Sequence, residues 1–159
     1  MTYFEDLQPG EIHTTRARTI TEADIVNFAG LTGDFTALHT DEEFSKTGPF
    51  GQRIAHGALV FSISLGLATQ MNLLTDTLIA FYGVEKMRFT KPVFIGDTIH
   101  AVRKVSETLE RGADRGVVTF STTVVNQRNE PVLVYSDKLV IKRRPSLPSR
   151  PDNPQSPSA

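Results

Sequence analysis

The sequence predicts an α+β protein in which a curved antiparallel sheet surrounds one buried helix. The first observation is that residues 58–68 are apolar on nearly every helical face, which is typical of a central helix. The second is that later segments are rich in Val, Ile, Thr, Phe and Tyr, and turn signals separate them. These predicted strands are 78–89, 97–109, 116–125 and 131–143. Short turns between successive strands favour antiparallel pairing, and a sheet curved around the helix satisfies both observations.

Composition restricts the function classes. The chain has 159 residues, 39% hydrophobic and 22% charged, with a net charge of -1, which offers no argument for nucleic acid or an anionic membrane as partner. There is no cysteine, so disulfides, thiolate nucleophiles and thiolate metal sites are excluded. The longest apolar run, 58–74, is interrupted by polar residues and makes a poor membrane span. We therefore expect a soluble cytoplasmic protein.

The N-terminal part is predicted to form a strand, a helix and a loop. Residues 11–20 favour a strand after the Pro9-Gly10 turn. Thr21 is predicted to be a helix N-cap in a capping box, in which Asp24 takes the position where Glu is usual. The apolar residues that follow have helical spacing and predict one buried face; they are Ile25, Val26, Phe28, Ala29 and Leu31. From 34 to 51 only one helical turn, at 41–45, is indicated, and a loop of this length is more often functional than idle.

The residues with chemical potential lie in that loop and just after it. Asp34 and His39 are five residues apart, and His56-Gly57 begins the predicted central helix. Taken alone, Asp34 is typical of a turn and His39 of a hydrogen-bonded packing residue. It is their joint spacing with Gly57 that favours acid/base chemistry beside an oxyanion-binding helix end.

The domain is predicted to end at residue 143. Residues 144–159 are dominated by Pro, Ser and polar residues. Such a segment cannot bury enough apolar surface to offset its ordering entropy. We therefore expect one domain over 1–143 and a disordered tail over 144–159.

The segment from 28 to 45 resembles the signature of the MaoC-like, (R)-specific enoyl-CoA hydratase family. The matching residues are Phe28, Leu31, Thr32, Gly33, Asp34, Leu38, His39 and Ser45. The sequence Ile-Ala-His-Gly at 54–57 is similar to the family's second landmark, and KPVFIGD at 91–97 to a strand-turn segment. One departure stands out, because Thr36-Ala37 occupies the place of the family's usual Asn-Pro.

The resemblance implies a hot-dog fold, in which a long helix lies in a curled antiparallel sheet, and a homodimer whose sheets join. It also implies a thioester substrate carried on coenzyme A or acyl carrier protein. The activity implied is that of a hydro-lyase, which adds water to a 2-enoyl thioester or removes it from a 3-hydroxyacyl thioester. No cofactor and no metal are expected beyond the carrier in the substrate.

Each part of this reaction has a candidate residue. Asp34 and His39 are the expected catalytic pair on one water. The N–H of Gly57 is the expected oxyanion donor, helped by the helix dipole and by close approach of the thioester to a glycine. Thr36 and His56 complete the expected oxyanion and substrate-binding group, Thr36 through its hydroxyl and His56 by orienting the loop.

Three alternatives remain open. A hot-dog thioesterase would hydrolyse the same substrate class, although residues 57–74 contain no Asp or Glu to serve as a helix carboxylate. A non-catalytic acyl-thioester-binding or assembly subunit is kept open by the Thr36-Ala37 departure. A metal hydrolase using His39, Asp41 and His56 is the weakest, because their spacing matches no standard metal motif.

Overall fold

The computed structural model describes residues 1–145, in which a short 3-10 helix, Phe4–Asp6, precedes the main elements. The helices are α1 (Glu22–Thr32), α2 (Ala37–Thr40), α3 (Glu42–Lys46) and α4 (Gly57–Thr69). The strands are β1 (Ile12–Thr14), β2 (Arg18–Thr19), β3 (Leu78–Phe89), β4 (Thr98–Glu110), β5 (Arg115–Val125) and β6 (Pro131–Lys142). Most of the predicted tail, residues 146–159, lies outside the described part of the chain.

All the strands pair antiparallel in one curved sheet. The order is β1-β4-β5-β6-β3, and β2 also pairs with β4. Residues of α4 pack on alternate residues of the strands, and the main core cluster joins Leu59, Ile63 and Leu67 to Ile99, Val124 and Leu133. A central helix held against an antiparallel sheet is the expected arrangement, and the α+β hot-dog fold is confirmed.

The four long strands lie where the sequence places them, but the position of β3 differs from the prediction. Successive strands pair at β4–β5 and β5–β6, whereas β3 pairs with β6 at the opposite edge from β4. Residues 90–97 therefore form a crossing connection and not a hairpin turn. Their backbone groups are satisfied on the way, since Thr90 N–H donates to Val132 O and Ala55 N–H donates to Val93 O.

The single strand predicted over 11–20 is wrong, because the segment forms the two short strands β1 and β2. Between them the side chain of Thr15 replaces a backbone partner. Its Oγ1 accepts a hydrogen bond from Ala101 N–H at 2.9 Å, while its own N–H donates to Ala101 O. The backbone hydrogen bonding to β4 is thus interrupted at Thr15, because the Thr15 hydroxyl accepts the Ala101 N–H in place of a main-chain carbonyl.

The helices bury less of their surface than the sequence pattern indicates. In α1, Ile25 and Ala29 are buried, but Val26 is 53% and Leu31 84% exposed. Helix α4 is buried on one side, while Ala58, Ser62 and Gly66 form an exposed stripe at four-residue spacing. Within the described residues, no helix is both long enough and apolar enough to cross a membrane.

Candidate active site

His39 is held on α2 with one ring nitrogen left for chemistry. Its Nδ1 lies 2.8 Å from the carbonyl oxygen of Ile54. Because a carbonyl only accepts, Nδ1 carries the hydrogen, and Nε2 of the neutral ring then holds the free lone pair. The buried Ser45 fixes α2 from the other side, since its hydroxyl donates to the carbonyls of Ala37 and Leu38, each at 3.3 Å.

Asp34 follows the C-terminal end of α1 in a side-chain-stabilised turn. Gly33 ends the helix with φ of 79°, a left-handed conformation that glycine adopts without strain. The exposed Asp34 carboxylate accepts hydrogen bonds from the Thr36 hydroxyl at 2.6 Å and from Thr36 N–H at 3.3 Å. Those bonds, the hydroxyl first, hold the pKa of Asp34 below its ordinary value, with smaller contributions from His56 and His39. Asp34 is therefore an anion at neutral pH.

Thr36 and His56 both contact Asp34 through their side chains. The Thr36 hydroxyl already donates to Asp34, so it acts on the carboxylate. His56 is only 2% exposed, and its place in the oxyanion and substrate-binding group stays a prediction. Its Nε2 donates to the main-chain oxygen of Asp34 at 3.0 Å, and its ring stacks on His39 with centroids 3.8 Å apart. His56 thus joins the turn of Asp34 to the ring of His39.

An ion-pair clamp sets the shape of the loop around these residues. The Arg53 guanidinium donates to Glu22 at the start of α1 and to Glu42 at the start of α3, each at 2.7 Å. Both carboxylates raise the pKa of Arg53 above its ordinary value, so the clamp is fully charged. Because Arg53 directly precedes Ile54, the clamp also fixes the carbonyl that holds His39.

Gly57 begins α4, and the start of this helix is open. The N-cap residue, His56, makes no side-chain cap, and Gly57 N–H donates to no acceptor within residues 1–145. A free N–H at a helix start carries partial positive charge and suits an oxyanion. A side chain at this position would require the ring of Phe89 to move, since a Cβ on Gly57 would lie 2.8 Å from that ring. The close approach that requires glycine here is therefore made by Phe89.

A cavity of about 430 Å³ joins His39 to the start of α4. Its wall is mostly apolar and includes Phe50, Val60, Phe89 and Pro92. Asp34 and Thr36 are not part of the wall, but potential ligand atoms of Asp34, His39 and His56 all lie within 4.8 Å of one another. The structure thus places the expected catalytic pair beside a cavity of ligand size.

The same three side chains are the group in the described residues that could hold a metal ion. Each histidine already uses one nitrogen on a carbonyl, and the two rings stack with only 30° between their planes. The expectation that no metal is bound stays a prediction.

Sequence reasoning missed two partners in this site. The carbonyl of Ile54 that fixes His39 is a backbone group, which carries no side-chain signature. The ring of Phe89 against Gly57 comes from the end of β3, and the pairing of β3 with β6 delivers it there. The one available signal was the aromatic residue at the end of a predicted strand, directly before the connection at 90–97.

Comparison with known proteins places this chain in a family. Residues 6–127 match the family model described as "MaoC like domain". The (R)-specific enoyl-CoA hydratase of Rhodospirillum rubrum is 38% identical over 122 residues, covering 76% of this chain and 79% of that protein. Protein MaoC of Klebsiella aerogenes is 45% identical over 61% of this chain, and the match spans only 28% of that longer protein.

A solved structure agrees over nearly the whole chain. The X-ray structure titled monoamine oxidase regulatory protein, from Archaeoglobus fulgius, has a TM-score of 0.86 and 46% sequence identity, covering 91% of this chain and 96% of that one. The region that the family model matches, residues 6–127, includes Asp34, His39 and the start of α4. From the family model and the hydratase relative together, we conclude that this chain belongs to the MaoC-like domain family.

Proposed function

We propose that the protein is an enoyl-thioester hydratase, catalysing the reversible syn addition of water to a 2-enoyl thioester. One observation carries the proposal: Nε2 of His39, which makes no hydrogen bond to the described residues, lies close to the ionised Asp34. His39 also lines an apolar cavity that contains the open start of α4. The relative from Rhodospirillum rubrum that is named as an (R)-specific enoyl-CoA hydratase supports the same reaction class.

The proposed proton path uses one water between the two side chains. Nε2 of His39 takes a proton from the water as its oxygen bonds to C3 of the enoyl group. The resulting imidazolium is stabilised by the Asp34 carboxylate, which stays anionic because its pKa is lowered. Nδ1–H is held by Ile54 O, so the imidazolium returns its proton from Nε2, and C2 receives it on the same face.

Negative charge develops on the thioester oxygen between these two proton transfers. The N–H of Gly57 is the proposed donor to that oxygen, since it has no acceptor among the described residues and lies at the positive end of α4. A preorganised donor of this kind contributes roughly 100-fold to 1,000-fold to turnover in other enzymes. The apolar wall of the cavity excludes water and so strengthens this interaction.

The proposed active form is a homodimer joined at the edge of the sheet. Strand β3 lies at that edge and exposes large apolar side chains, which are Leu78, Ile79, Phe81, Tyr82 and Phe89. An edge strand is a template for pairing with another chain, and a large exposed apolar patch marks an interaction site. Pairing with a second copy would cover the edge. The proposed substrate is an acyl group on coenzyme A or acyl carrier protein, with no separate cofactor.

The proposal is tested with crotonyl-CoA by following ultraviolet absorbance and free thiol in one sample. A hydratase removes the conjugated absorbance without releasing thiol. The loss of absorbance is expected to disappear in His39→Gln and to persist in His100→Gln, a matched control on β4. Absorbance loss that is equal in both variants would contradict the role of His39.

Two alternatives give different signals in the same experiment. A thioesterase releases thiol from the substrate. A non-catalytic binding protein gives neither signal but retains thioester binding; it is favoured by the Thr36-Ala37 departure and by the Archaeoglobus structure that is titled a regulatory protein. Binding of crotonyl-CoA without any turnover would replace the hydratase proposal with this one.

A further inference from the structure

Arg53 lies outside the wall of the cavity but joins the two segments that carry the expected catalytic pair. Its Nη1 donates to Glu22, the first residue of α1, and the other end of that helix leads into the turn of Asp34. Its Nε donates to Glu42, the first residue of α3, which closely follows His39 and α2 along the chain. One guanidinium therefore sets how these segments lie relative to each other.

The backbone of Ile54 contacts α2 at two adjacent residues. Ile54 N–H donates to Leu38 O at 3.3 Å, and Ile54 O accepts from Nδ1 of His39 at 2.8 Å. The Ile54 carbonyl shares its peptide plane with the N–H of Ala55, which donates to Val93 O at 2.8 Å, so the tilt of that carbonyl is fixed from the sheet side. The bond to Leu38 is long for an N–H donor, and the ion-pair clamp adds a second link on the side of α2.

The hydrogen bond to Ile54 O decides which ring nitrogen of His39 can act as a base. With the hydrogen on Nδ1, the lone pair is on Nε2, the proposed base. In water, a neutral histidine side chain favours the opposite tautomer, with the hydrogen on Nε2 and no lone pair there. The position of one carbonyl therefore sets the fraction of the protein in which His39 is competent for proton transfer.

The clamp is suited to fixing a position more than to stabilising the fold. The Arg53 side chain is 17% exposed, whereas those of Glu22 and Glu42 are 57% and 48% exposed. Ion pairs with carboxylates this exposed contribute little to the free energy of unfolding. A guanidinium is planar and rigid, however, so two bonds from different nitrogens fix both its place and its orientation. Loss of the clamp should therefore alter the loop without unfolding the protein.

We propose that Arg53 is a positioning residue for the reaction: through Glu42 it holds the Ile54 carbonyl at the distance from α2 at which His39 keeps its hydrogen on Nδ1. Arg53 does not contact the reacting atoms and acts only through the backbone of Ile54. The effect on turnover rests on the proposed hydratase function, whereas the tautomer is a property of the resting protein.

NMR of the ¹⁵N-labelled full chain measures the tautomer, because a ring nitrogen that carries a hydrogen and one that carries a lone pair resonate far apart. At alkaline pH, where histidine rings are neutral, the His39 signals are those that vanish in His39→Gln. The unaltered protein is expected to carry the hydrogen on Nδ1, and Arg53→Gln to carry it mostly on Nε2. The matched control is Arg18→Gln, which removes the ion pair of Arg18 with Asp24 on the same helix α1 and should leave the tautomer unchanged.

The crotonyl-CoA assay gives the second readout. In Arg53→Gln and Glu42→Gln, kcat should fall in proportion to the lost Nδ1–H tautomer, by about threefold to fivefold, while KM stays within about twofold. Glu22→Gln should have a smaller effect on both the tautomer and kcat than Glu42→Gln, because Glu22 lies on α1 and not beside α2. Arg18→Gln should keep the kcat of the unaltered protein.

The proposal is overturned if Arg53→Gln keeps the hydrogen on Nδ1, or if the tautomer shifts while kcat does not fall. A lower unfolding midpoint with an unchanged tautomer would show that Arg53 has a structural role only. Should Arg53→Gln fail to fold, Glu42→Gln, altered at an exposed side chain, still decides. A protein inactive on crotonyl-CoA would contradict the hydratase proposal but leave the NMR comparison intact, so the two failures are distinguishable.

Discussion

Asp34 and Asp137 are carboxylates associated with opposite ends of α4, and their surroundings move their pKa values in opposite directions. Asp34 is exposed, and hydrogen bonds from Thr36 lower its pKa. Asp137 is fully buried, and burial raises its pKa against the opposing effects of Arg103 and Thr122. An aspartate carboxylate is therefore readily ionised at the exposed end, whereas ionisation of the buried one costs free energy.

The difference separates a group available for chemistry from a group used for structure. At the first end, the described residues leave His39 Nε2 and Gly57 N–H free beside Asp34. At the second end, Asp137 is satisfied by Arg103 and Thr122, and only one donor of Arg103 is left over. Substitutions at the first end should therefore change turnover, and substitutions at the second end should change stability.

The largest expected effect is on turnover at the first end. His39→Gln removes the base and should lower kcat roughly 100-fold to 10,000-fold, and Asp34→Asn should do the same by removing the anion that stabilises the imidazolium. Both variants should retain the unfolding midpoint of the unaltered protein, because neither residue is fully buried. Rates come from the crotonyl-CoA assay, with His100→Gln as control. Near-normal turnover in either variant would remove that residue from the mechanism.

The second effect is on stability at the other end. Asp137→Asn leaves the Arg103 charge buried without its counter-ion and should lower the free energy of unfolding by about 3–5 kcal/mol. The matched variant Asp34→Asn, at an exposed site, should change it by about 0.5 kcal/mol or less. Urea denaturation measures both. Equal unfolding free energies in the two variants would show that the buried pair does not hold the sheet together.

A smaller effect is expected at Gly57. Gly57→Ala places a Cβ against the ring of Phe89 and should lower turnover by about tenfold through displacement of that ring into the cavity. The double variant Gly57→Ala/Phe89→Ala removes the clash while the backbone N–H stays, so turnover should recover. If the double variant were as slow as Gly57→Ala, the glycine would be needed for something other than room for Phe89.

The smallest effect is a shift in pH dependence. Thr36→Val removes the hydroxyl that contributes most to the lowered pKa of Asp34, so that pKa should rise toward its ordinary value. Asp34 is ionised above its pKa, and any part of the acid limb of kcat/KM that reports Asp34 should therefore move to higher pH. A carboxyl NMR titration of Asp34 gives the shift directly, and Thr69→Val, on α4, serves as the control. An unchanged Asp34 titration would show that the Thr36 hydroxyl does not hold the carboxylate in solution.

Local patterns predicted the local structure well. The four long strands are confirmed to within about a residue of their predicted ends, because alternation and turn residues are properties of neighbouring positions. The capping box at Thr21 is also confirmed, with Asp24 taking the role of Glu. The approach of Asp34 to His39 follows from their spacing along one loop, although their roles in catalysis stay a prediction.

The sequence by itself determined the strands, the central helix, the family signature and the candidate pair Asp34 and His39. Only the tertiary structure decided that β3 pairs with β6, that Ile54 O fixes the tautomer of His39, and that Phe89 covers Gly57. It also decided the pairing of Arg103 with Asp137, although each stands at an inward position of a strand where a charge is unusual. The physical reason is that spacing along the chain encodes contacts within one element, whereas contacts between elements depend on sheet order and register.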